Sequence, residues 1–304
     1  MAALFDSDLL MNSGILLLDK PLGLTSNAAL SRAKRVLGIR KAGHTGALDP
    51  LATGLLPLCF GQATKVSAFL LDADKGYLAE VTLGQTTASG DAEGEVTGER
   101  EVPQIDCAAL EEVLDEFRGV IDQVPPMYSA LKHKGKRLHE LARAGIEVER
   151  KPRRVTIHRL DLLEFQRPRF VLRVGCSKGT YIRSLAMDIG ARIGCGAHLS
   201  ALRRESSGPF ALADAVTLEA LEQMNADQAR RLFMPPDAAL PHLPAVELDD
   251  EQATAIRHGK AVSLPSLPQG QVRMYSRRLF LGLGQSDPNG DLRVRRLLVV
   301  ADDT

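Results

Sequence analysis

A glycine-rich segment at residues 43–54 carries the residues whose types and spacing best suit a chemical reaction. It reads Gly-His-Thr-Gly-Ala-Leu-Asp-Pro-Leu-Ala-Thr-Gly and places one carboxylate, Asp49, five residues after His44. Pro50 disfavours a helical conformation for Asp49 and predicts a turn or extended backbone there. A loop so rich in glycine is costly to order, which indicates that its backbone approaches something other than the protein core. A carboxylate presented in this way can act as a nucleophile or can stabilise a cationic sugar.

Four further motifs accompany this loop. They are Gly-Ile-Leu-Leu-Leu-Asp-Lys-Pro-Leu-Gly-Leu-Thr-Ser at 14–26, Asp-Lys-Gly-Tyr at 74–77, Cys-Ser-Lys-Gly-Thr-Tyr-Ile-Arg at 176–183 and Gly-Cys-Gly-Ala-His-Leu-Ser-Ala-Leu-Arg-Arg at 194–204. In sequence and order, the five motifs resemble those of the TruB family, the bacterial tRNA pseudouridine-55 synthases. A Leu-Asp-Pro string alone would indicate only a tight turn, whereas five ordered motifs are far more specific.

The resemblance implies a reaction that converts a uridine to pseudouridine. The C1′–N1 bond breaks and C1′ is rejoined to C5 of the same base, so neither a redox change nor a net group transfer occurs. We therefore expect no cofactor, and the chain lacks dinucleotide and Walker fingerprints. The resemblance assigns the catalytic carboxylate to Asp49; attack at C1′, attack at C6 and a glycal route all remain open. It also assigns Arg183 as the partner of that carboxylate, because a nearby guanidinium lowers a carboxyl pKa that burial would raise.

The same resemblance implies a set of residues that bind the target base. That base lies inside the folded T-loop of a tRNA, so it must be flipped out at a cost of about a few kcal/mol. Tyr77 is expected to stack on the flipped uracil and to serve in proton transfer, Tyr181 to contact the base, and Leu202 to form an apolar wall. His44 is expected to occupy the space that the base vacates. Lys20 is expected either to contact phosphate or to shape the active-site loop.

Charge is unevenly distributed along a chain whose formal net charge is zero. Residues 72–122 hold fourteen acids and three bases, whereas residues 132–159 hold ten bases and three acids. Such polarity attracts phosphate locally, although a solvated face is the simpler alternative. Prolines bound the basic segment 124–152, which we predict to be a surface insertion like the thumb that folds over RNA in the family. Candidate contacts to the RNA backbone are Lys132, Lys134, Lys136, Arg137, Arg203 and Arg204.

The remaining composition is that of an ordinary globular chain. Its 304 residues are 44% hydrophobic and 25% charged, which allows one large domain or two. No apolar run approaches the ~20 residues of a membrane span, and Met1–Asp8 does not resemble a secretory signal. No His or Cys residues lie at zinc-ligand spacing, so we expect no metal. Four cysteines without Cys-x-x-Cys spacing indicate reduced thiols in a cytoplasmic protein, and nothing in the sequence demands more than a monomer.

The hydrophobic pattern predicts an α+β fold, because strands and helices alternate without a regular βαβ repeat. Ser26 is predicted to cap a helix that ends near Leu37. Residues 95–101 are predicted to return beside a strand at 77–83. We expect a mixed-sheet catalytic domain at 1–240 and, beyond a proline-rich junction, a small PUA-like β domain at 245–304. Other predicted strands are 15–18, 55–60, 153–165, 169–176, 271–276, 279–284 and 292–300, and further helices are centred on Leu110–Phe117, Ile182–Ile193 and Asp250–Arg257.

Three other functions remain open. The first is an RNA-binding or tRNA-folding protein whose catalysis is secondary, a role that can coexist with isomerisation. The second is a guide-dependent relative of the snoRNP type, although the basic insertion suits a stand-alone enzyme that grips its own RNA. The third, glycoside hydrolysis, normally requires two carboxylates at the scissile bond, and a motif places only one here. Asp49, Tyr77 and Arg183 together argue against a purely non-catalytic module.

Overall fold

A computed structural model describes residues 12–129, 131–264 and 267–298. Met1–Asp8 and residues 299–300, which formed part of the predictions, lie outside these ranges. In chain order the strands are β1 (Gly14–Lys20), β2 (Ala42–His44), β3 (Ala52–Phe60), β4 (Lys75–Leu83), β5 (Gln85–Thr87), β6 (Val96–Glu99), β7 (Gly119–Gln123), β8 (Lys132–His133), β9 (Lys136–Arg137), β10 (Arg153–Gln166), β11 (Arg169–Cys176), β12 (Ala197–Ser207), β13 (Phe210–Ala211), β14 (Val216–Thr217), β15 (Ala245–Glu247), β16 (Val262–Ser263), β17 (Gly270–Ser276), β18 (Leu279–Ser286) and β19 (Asp291–Leu297). The α-helices are α1 (Ser26–Leu37), α2 (Ser67–Asp72), α3 (Cys107–Asp115), α4 (Leu138–Arg143), α5 (Ile182–Ile193), α6 (Leu218–Glu222), α7 (Ala226–Arg230) and α8 (Asp250–Arg257).

A ten-stranded mixed sheet forms the larger part of the fold. Its strand order is β14-β1-β3-β12-β4-β11-β10-β7, with β2 paired to β3 and β13 to β12. The β1–β14 and β3–β12 pairs are parallel, and the other pairs are antiparallel. Helices lie between strands without a regular repeat, so the predicted α+β class is confirmed.

Two helices pack on one face of this sheet and end at glycines. Thr25 caps α1 by accepting from the Ala28 amide, and Gly38 ends that helix in the left-handed conformation at φ 69°. The buried face of α5 comes within van der Waals contact of β12, where a Cβ at Gly190 would lie 2.3 Å from the Ala197 nitrogen. This close packing fixes the C-terminal end of α5 against β12, and the first turn of the same helix carries Arg183.

The C-terminal β domain is a five-stranded sheet with the order β15-β17-β18-β19-β16. One of its faces packs with α8 around Val272 and Met274, which are fully buried. The other face contributes Phe280 and Leu283 to a core shared with Ile15 of β1. Burial of such side chains contributes roughly 1.5–3 kcal/mol each, so the shared core joins the two sheets firmly.

Two secondary-structure predictions are wrong in informative ways. Residues 96–99 pair with β5 and not with β4, because β11 and β12 already occupy both edges of β4. All four residues of β6 are exposed, which suits a surface hairpin rather than a buried sheet. Thr25, not Ser26, caps α1, and Ser26 is buried beneath the loop that carries Asp49.

The predicted insertion at 124–152 contains a short hairpin and a helix. Lys134 and Gly135 both have positive φ, at 48° and 87°, which is the turn geometry that joins β8 tightly to β9. Helix α4 follows, and its first residue, Leu138, is buried. The proline-rich junction also has structure: Pro236–Ala239 is a 3-10 helix, and Ala239 and Leu240 are buried.

Candidate active site

The loop that carries Asp49 lies between β2 and β3 and is fixed at several points. The Ala52 amide donates to the Asp49 carbonyl over 3.0 Å, which closes a tight turn around Pro50. The Gly23 amide donates to the Pro50 carbonyl over 2.8 Å, so the turn after β1 supports the loop from beside it. Thr45 is fully buried, and its amide donates to the Pro57 carbonyl.

Ser26 anchors the residue immediately before Asp49. Its hydroxyl accepts from the Leu48 amide over 2.7 Å and donates to the Leu48 carbonyl over 3.1 Å. Both groups are buried, where an unpaired backbone group costs about 1–3 kcal/mol. The adjacent hydroxyl residues therefore divide two tasks: Thr25 caps α1, and Ser26 positions the loop.

Arg183 and Asp49 form the ion pair that the sequence predicted. Arg183 Nη2 lies 3.0 Å from Asp49 Oδ2, and the arginine side chain is only 7% exposed, whereas that of Asp49 is 49% exposed. The guanidinium also donates to the backbone carbonyls of Ser89 and Tyr128, at 2.9 and 2.7 Å. Arg183 is thus rigidly held, and Asp49 faces open space in which a substrate can bind.

Asp91 is a second carboxylate at this site that the sequence analysis missed. It is 3% exposed, and its Oδ2 lies 3.7 Å from Arg183 Nε. Its other oxygen accepts from the Ser89 hydroxyl and from the Glu93 amide. In the sequence, Asp91 belongs to the polar segment Ser-Gly-Asp-Ala-Glu-Gly at 89–94. Such a segment predicts a surface turn and does not indicate a buried carboxylate.

The pKa of Asp49 reflects opposing influences. Burial raises it above the ordinary value of 3.8, the neighbouring carboxylate of Asp91 raises it further, and the cations of Arg183 and Lys20 lower it. The net shift is upward. Arg183 therefore offsets the effect of burial only in part.

Tyr77 and Leu202 come together on adjacent strands. Tyr77 on β4 is 9% exposed and lies opposite Arg204 of β12, while Leu202 pairs with Ala79 of β4 and Ala52 of β3. Burial raises the pKa of the Tyr77 phenol, and the charge of Arg204 opposes this effect. Leu202 is partly buried against the main core.

Tyr181 directly precedes α5 and is held by a glutamine that the sequence analysis did not single out. The Gln123 side chain accepts from the Tyr181 amide over 2.7 Å and donates to the Tyr181 carbonyl over 3.0 Å. Gln123 is 2% exposed and ends β7, where the insertion begins. Burial raises the pKa of the Tyr181 phenol.

His44 ends β2, which pairs with β3 beside the loop. Burial lowers the imidazole pKa below 6.5, and the charge of Arg204 lowers it further. Its Nδ1 is buried and has no hydrogen-bond partner among the described residues. A neutral imidazole with an unused polar atom is available for contact with a substrate.

Lys20 is fully buried, which contradicts the phosphate contact that was one of its two expected roles. Its ammonium donates to the carbonyls of Pro21 and Leu24 at 2.9 and 2.6 Å, and so it shapes the turn that supports Pro50. Desolvation lowers the Lys20 pKa to about 8, although Glu93 and Asp49 oppose that shift.

Arg203 and Arg204 differ although they are adjacent. Arg203 is partly exposed and binds Asp19 at 2.6 Å. Arg204 is 1% exposed, so it cannot make the surface phosphate contact expected of it. Strand alternation gives the reason, because successive side chains of β12 point to opposite faces of the sheet.

The basic residues of the insertion lie on its exposed hairpin. Lys132, Lys134, Lys136 and Arg137 are all exposed, and no ion pair joins any of them to an acid among the described residues. On the C-terminal sheet Arg277 pairs with Asp250 and Arg273 bonds to the Leu243 carbonyl, whereas Arg293 and Arg295 are exposed without an ion pair to any described residue. The hairpin is therefore a concentrated basic surface.

The described ranges contain neither a candidate metal cluster nor a helix that could span a membrane. No group of three or more His, Cys, Asp or Glu side chains there could hold a metal ion. No helix there is long and apolar enough to cross a membrane. All four cysteines are free, and only Cys107 is exposed.

Comparison with protein families gives three consecutive matches along the chain. Residues 34–182 match the TruB family pseudouridylate synthase N-terminal domain. Residues 183–241 match the tRNA pseudouridylate synthase B C-terminal domain, and residues 244–298 match the pseudouridine synthase II TruB C-terminal model.

Curated relatives and solved structures agree with those matches. The chain is 58% identical over 285 residues to tRNA pseudouridine synthase B of Azoarcus sp. (strain BH72), with 94% of each chain covered. It is 54% identical over 292 residues to the protein of the same name from Pseudomonas putida (strain GB-1), covering 94% of this chain and 95% of the relative. The crystal structure of a Cbf5-Nop10-Gar1 complex matches with a TM-score of 0.73 and 28% identity, covering 97% of this chain and 88% of that one.

Proposed function

Because this chain belongs to the TruB family and is a tRNA uridine-to-pseudouridine isomerase, we propose that its target is the uridine at position 55 in the T-loop of tRNA. The Asp49–Arg183 pair carries this proposal, since it sets a half-exposed carboxylate against a buried guanidinium. A T-loop uridine reaches such a carboxylate only after it is flipped out of the loop.

In the proposed mechanism, Asp49 acts on the bond between ribose and uracil in its ionised form. Attack at C1′, attack at C6 and a glycal route all require that carboxylate, which Arg183 keeps charged and oriented. The detached uracil turns within the closed site and C5 bonds to C1′. The C5 proton is released and N1, freed from C1′, takes up a proton. No atom is gained or lost overall, so no cofactor enters the reaction.

The other site residues hold the base. Tyr77 stacks on the flipped uracil and takes part in the proton transfer, Tyr181 contacts the base from the start of α5, and Leu202 forms the apolar wall. His44 enters the space that the base leaves, where the unpaired Nδ1 gains a polar partner. These roles come from the family resemblance, and the clustering of the strands that carry these side chains around Asp49 supports them.

The RNA backbone lies against the basic hairpin in this proposal. Each phosphate neutralised by an exposed base releases counterions, which supplies most of the binding free energy. Arg203 is a further candidate contact because it is partly exposed beside the site. Lys132, Lys134, Lys136 and Arg137 are the main candidates.

We further propose that the protein acts alone as a cytoplasmic monomer on the T-arm stem-loop and assists tRNA folding as a second role. The proposed domains are residues 1–240, with the thumb at about 124–152, and residues 245–304 as a PUA-like RNA-binding domain. The identity of 58% to tRNA pseudouridine synthase B, against 28% to a chain of the Cbf5-Nop10-Gar1 complex, favours an enzyme that acts alone over one that acts within a complex.

A transcript experiment tests the target position. The purified protein is incubated with an unmodified tRNA transcript without guide RNA or metal, and pseudouridine is mapped by a carbodiimide adduct that stops reverse transcription. We expect one stop, at position 55, and none in a transcript with cytidine there. A stop at another uridine would contradict the T-loop assignment, and a requirement for added guide RNA would contradict the stand-alone assignment.

A further inference from the structure

Arg204 is a charged side chain in the middle of the fold that has no ion-pair partner in the described part of the chain. It is 1% exposed, and no carboxylate among the described residues lies within 4.0 Å of its guanidinium, whereas the neighbouring Arg203 and Arg183 both have acidic partners. An arginine cannot lose its charge inside a protein. Burial of an uncompensated cation is costly, so its retention indicates a use for the side chain.

The contacts of Arg204 join the Asp49 loop to the strand that follows it. Its Nε donates to the Leu55 carbonyl in β3 over 2.6 Å, and its Nη2 donates to the Gly46 carbonyl in the loop over 3.1 Å. Gly46 precedes Asp49 by three residues and Leu55 follows it by six. One rigid planar group therefore sets the distance between the loop before Asp49 and the strand after it.

The backbone beside Arg204 leaves no freedom for it to shift. At Gly54, which has a φ of 98°, an added Cβ would lie 2.4 Å from the Arg204 carbonyl oxygen. This contact belongs to the parallel pairing of β3 with β12. The backbone of Arg204 is thus fixed relative to β3, the strand that begins directly after the loop.

The third neighbour of Arg204 is Tyr77, which lies directly opposite it across the β4–β12 pair. The charge of the guanidinium lowers the pKa of the Tyr77 phenol, against the larger effect of burial. Arg204 therefore places a fixed positive charge beside this phenol.

We propose that Arg204 is a positioning residue for the isomerisation: it holds the Asp49 loop at Gly46 against β3 at Leu55 and keeps its positive charge beside the Tyr77 phenol. Arg204 acts through Tyr77 and the loop, not on the substrate itself. The inference rests on the role proposed for Tyr77.

A tyrosine titration tests the effect of this charge independently of activity. The chain contains four tyrosines and no tryptophan, so tyrosinate absorbance can be followed cleanly. The titration of Tyr77 is the difference between the curve of a protein and the curve of the same protein with Tyr77→Phe. This difference is measured once in the natural chain and once in the chain that carries Arg204→Gln. We expect Tyr77 to ionise at higher pH when the guanidinium is absent. A merely structural loosening would expose the phenol and move its pKa down toward 10.0, and an unchanged or lowered value would overturn the proposal.

Single-turnover kinetics test the consequence for the reaction. Arg204→Lys keeps the charge but loses the planar fork, and Arg173→Lys on β11, whose arginine pairs with Glu205, is the matched control. With a saturating T-arm hairpin, we expect Arg204→Lys to react about 100-fold more slowly at unchanged hairpin affinity, since small misplacements have effects of that order. A rate equal to that of Arg173→Lys would overturn the proposal.

The two measurements separate the possible failures. If neither Arg204→Gln nor Arg204→Lys folds by circular dichroism, Arg204 is a residue of the core and the positioning role is wrong. If the natural protein shows no isomerase activity, the proposed function fails, while the titration still decides whether the charge of Arg204 acts on Tyr77.

Discussion

Asp49 is the residue on which the account depends, and its electrostatic setting has two measurable effects. Burial and the carboxylate of Asp91 disfavour its ionised form, while Arg183 and Lys20 favour it. The net result is a pKa above the ordinary value of 3.8. A carboxylate that is harder to ionise is also more basic once ionised, which suits a group that must bond to or deprotonate its substrate.

The first effect is on the pH dependence of the reaction. Because Asp49 must be ionised, the single-turnover rate is expected to fall on the acid side with a midpoint above 3.8. Asp91→Asn removes a neighbouring negative charge and should move that midpoint to lower pH. The measurement is the rate of a T-arm hairpin under single-turnover conditions across the acid range. A midpoint that rises in Asp91→Asn would contradict the assignment of this limb to Asp49.

The second effect is on stability. A carboxyl whose folded-state pKa is raised binds its proton more tightly in the folded state, so stability falls as pH rises from the unfolded to the folded pKa. At neutral pH the ionised Asp49 is therefore unfavourable for folding, and Asp49→Asn should have a Tm equal to or slightly above that of the natural protein. Thermal unfolding at pH 7 followed by circular dichroism measures this. A clearly lower Tm would mean that the ion pair with Arg183 outweighs desolvation.

At the same scale, the sequence predicted residues that belong to distinctive motifs and missed those that only the fold brings close. Asp49 and Arg183 lie far apart in sequence, yet the structure pairs them as expected. Asp91 and Gln123 sit in unremarkable polar segments, and their roles arise from burial against Arg183 and Tyr181, which no local pattern reports. Arg204 was misplaced because adjacent arginines on a strand point to opposite faces.

At the scale of elements, the start of α1 links secondary structure to the catalytic loop. Ser26→Ala would leave the buried amide and carbonyl of Leu48 without their partner, at a cost of about 1–3 kcal/mol. Thr25→Ala removes a helix cap at a cost of about 1 kcal/mol but leaves the loop in place. We therefore expect both variants to lose stability in urea, and only Ser26→Ala to lose much of the single-turnover rate. A larger rate loss in Thr25→Ala would contradict the anchoring role.

The basic hairpin is the second element with a testable role. If it binds the RNA backbone, affinity falls with salt at a log–log slope of about −0.7 to −0.9 per phosphate neutralised. Changing its four basic residues to Gln should flatten that slope, as measured by filter binding of the hairpin RNA. The control changes exposed bases outside the insertion, namely Arg35, Arg231 and Lys260, to Gln. A slope that is unchanged in the first variant would remove the insertion from the RNA-binding surface.

Element boundaries were predicted well where periodicity was strong. The bounds of α5 and of the β10–β11 hairpin agree with the structure within one residue, because long amphipathic or alternating runs define them. Short strands such as β14, β15 and β16 were missed, since two or three residues give no periodic signal. The pairing of β6 was wrong because pairing depends on which sheet edges are free, and that is a property of the whole fold.

At the scale of the whole molecule, the chain combines a central mixed sheet, a projecting basic hairpin and a second sheet joined through a shared core. The α+β class and the position of the C-terminal sheet could be predicted from the order of elements. The shared core of Ile15, Phe280 and Leu283 could not, because it joins residues from opposite ends of the sequence. This arrangement fixes the site on a rigid support and leaves one face with a concentrated positive charge for RNA.

The central claim is that this protein, acting alone, isomerises a T-loop uridine through Asp49. Tritium release from a T-arm hairpin labelled at C5 of its uridines tests it most directly, with the natural protein and Asp49→Asn compared without cofactor, metal or guide RNA. We predict stoichiometric release by the natural protein and none by Asp49→Asn, although both bind the hairpin with similar affinity. Release by Asp49→Asn would contradict the catalytic assignment, and tight binding without release by the natural protein would contradict stand-alone activity.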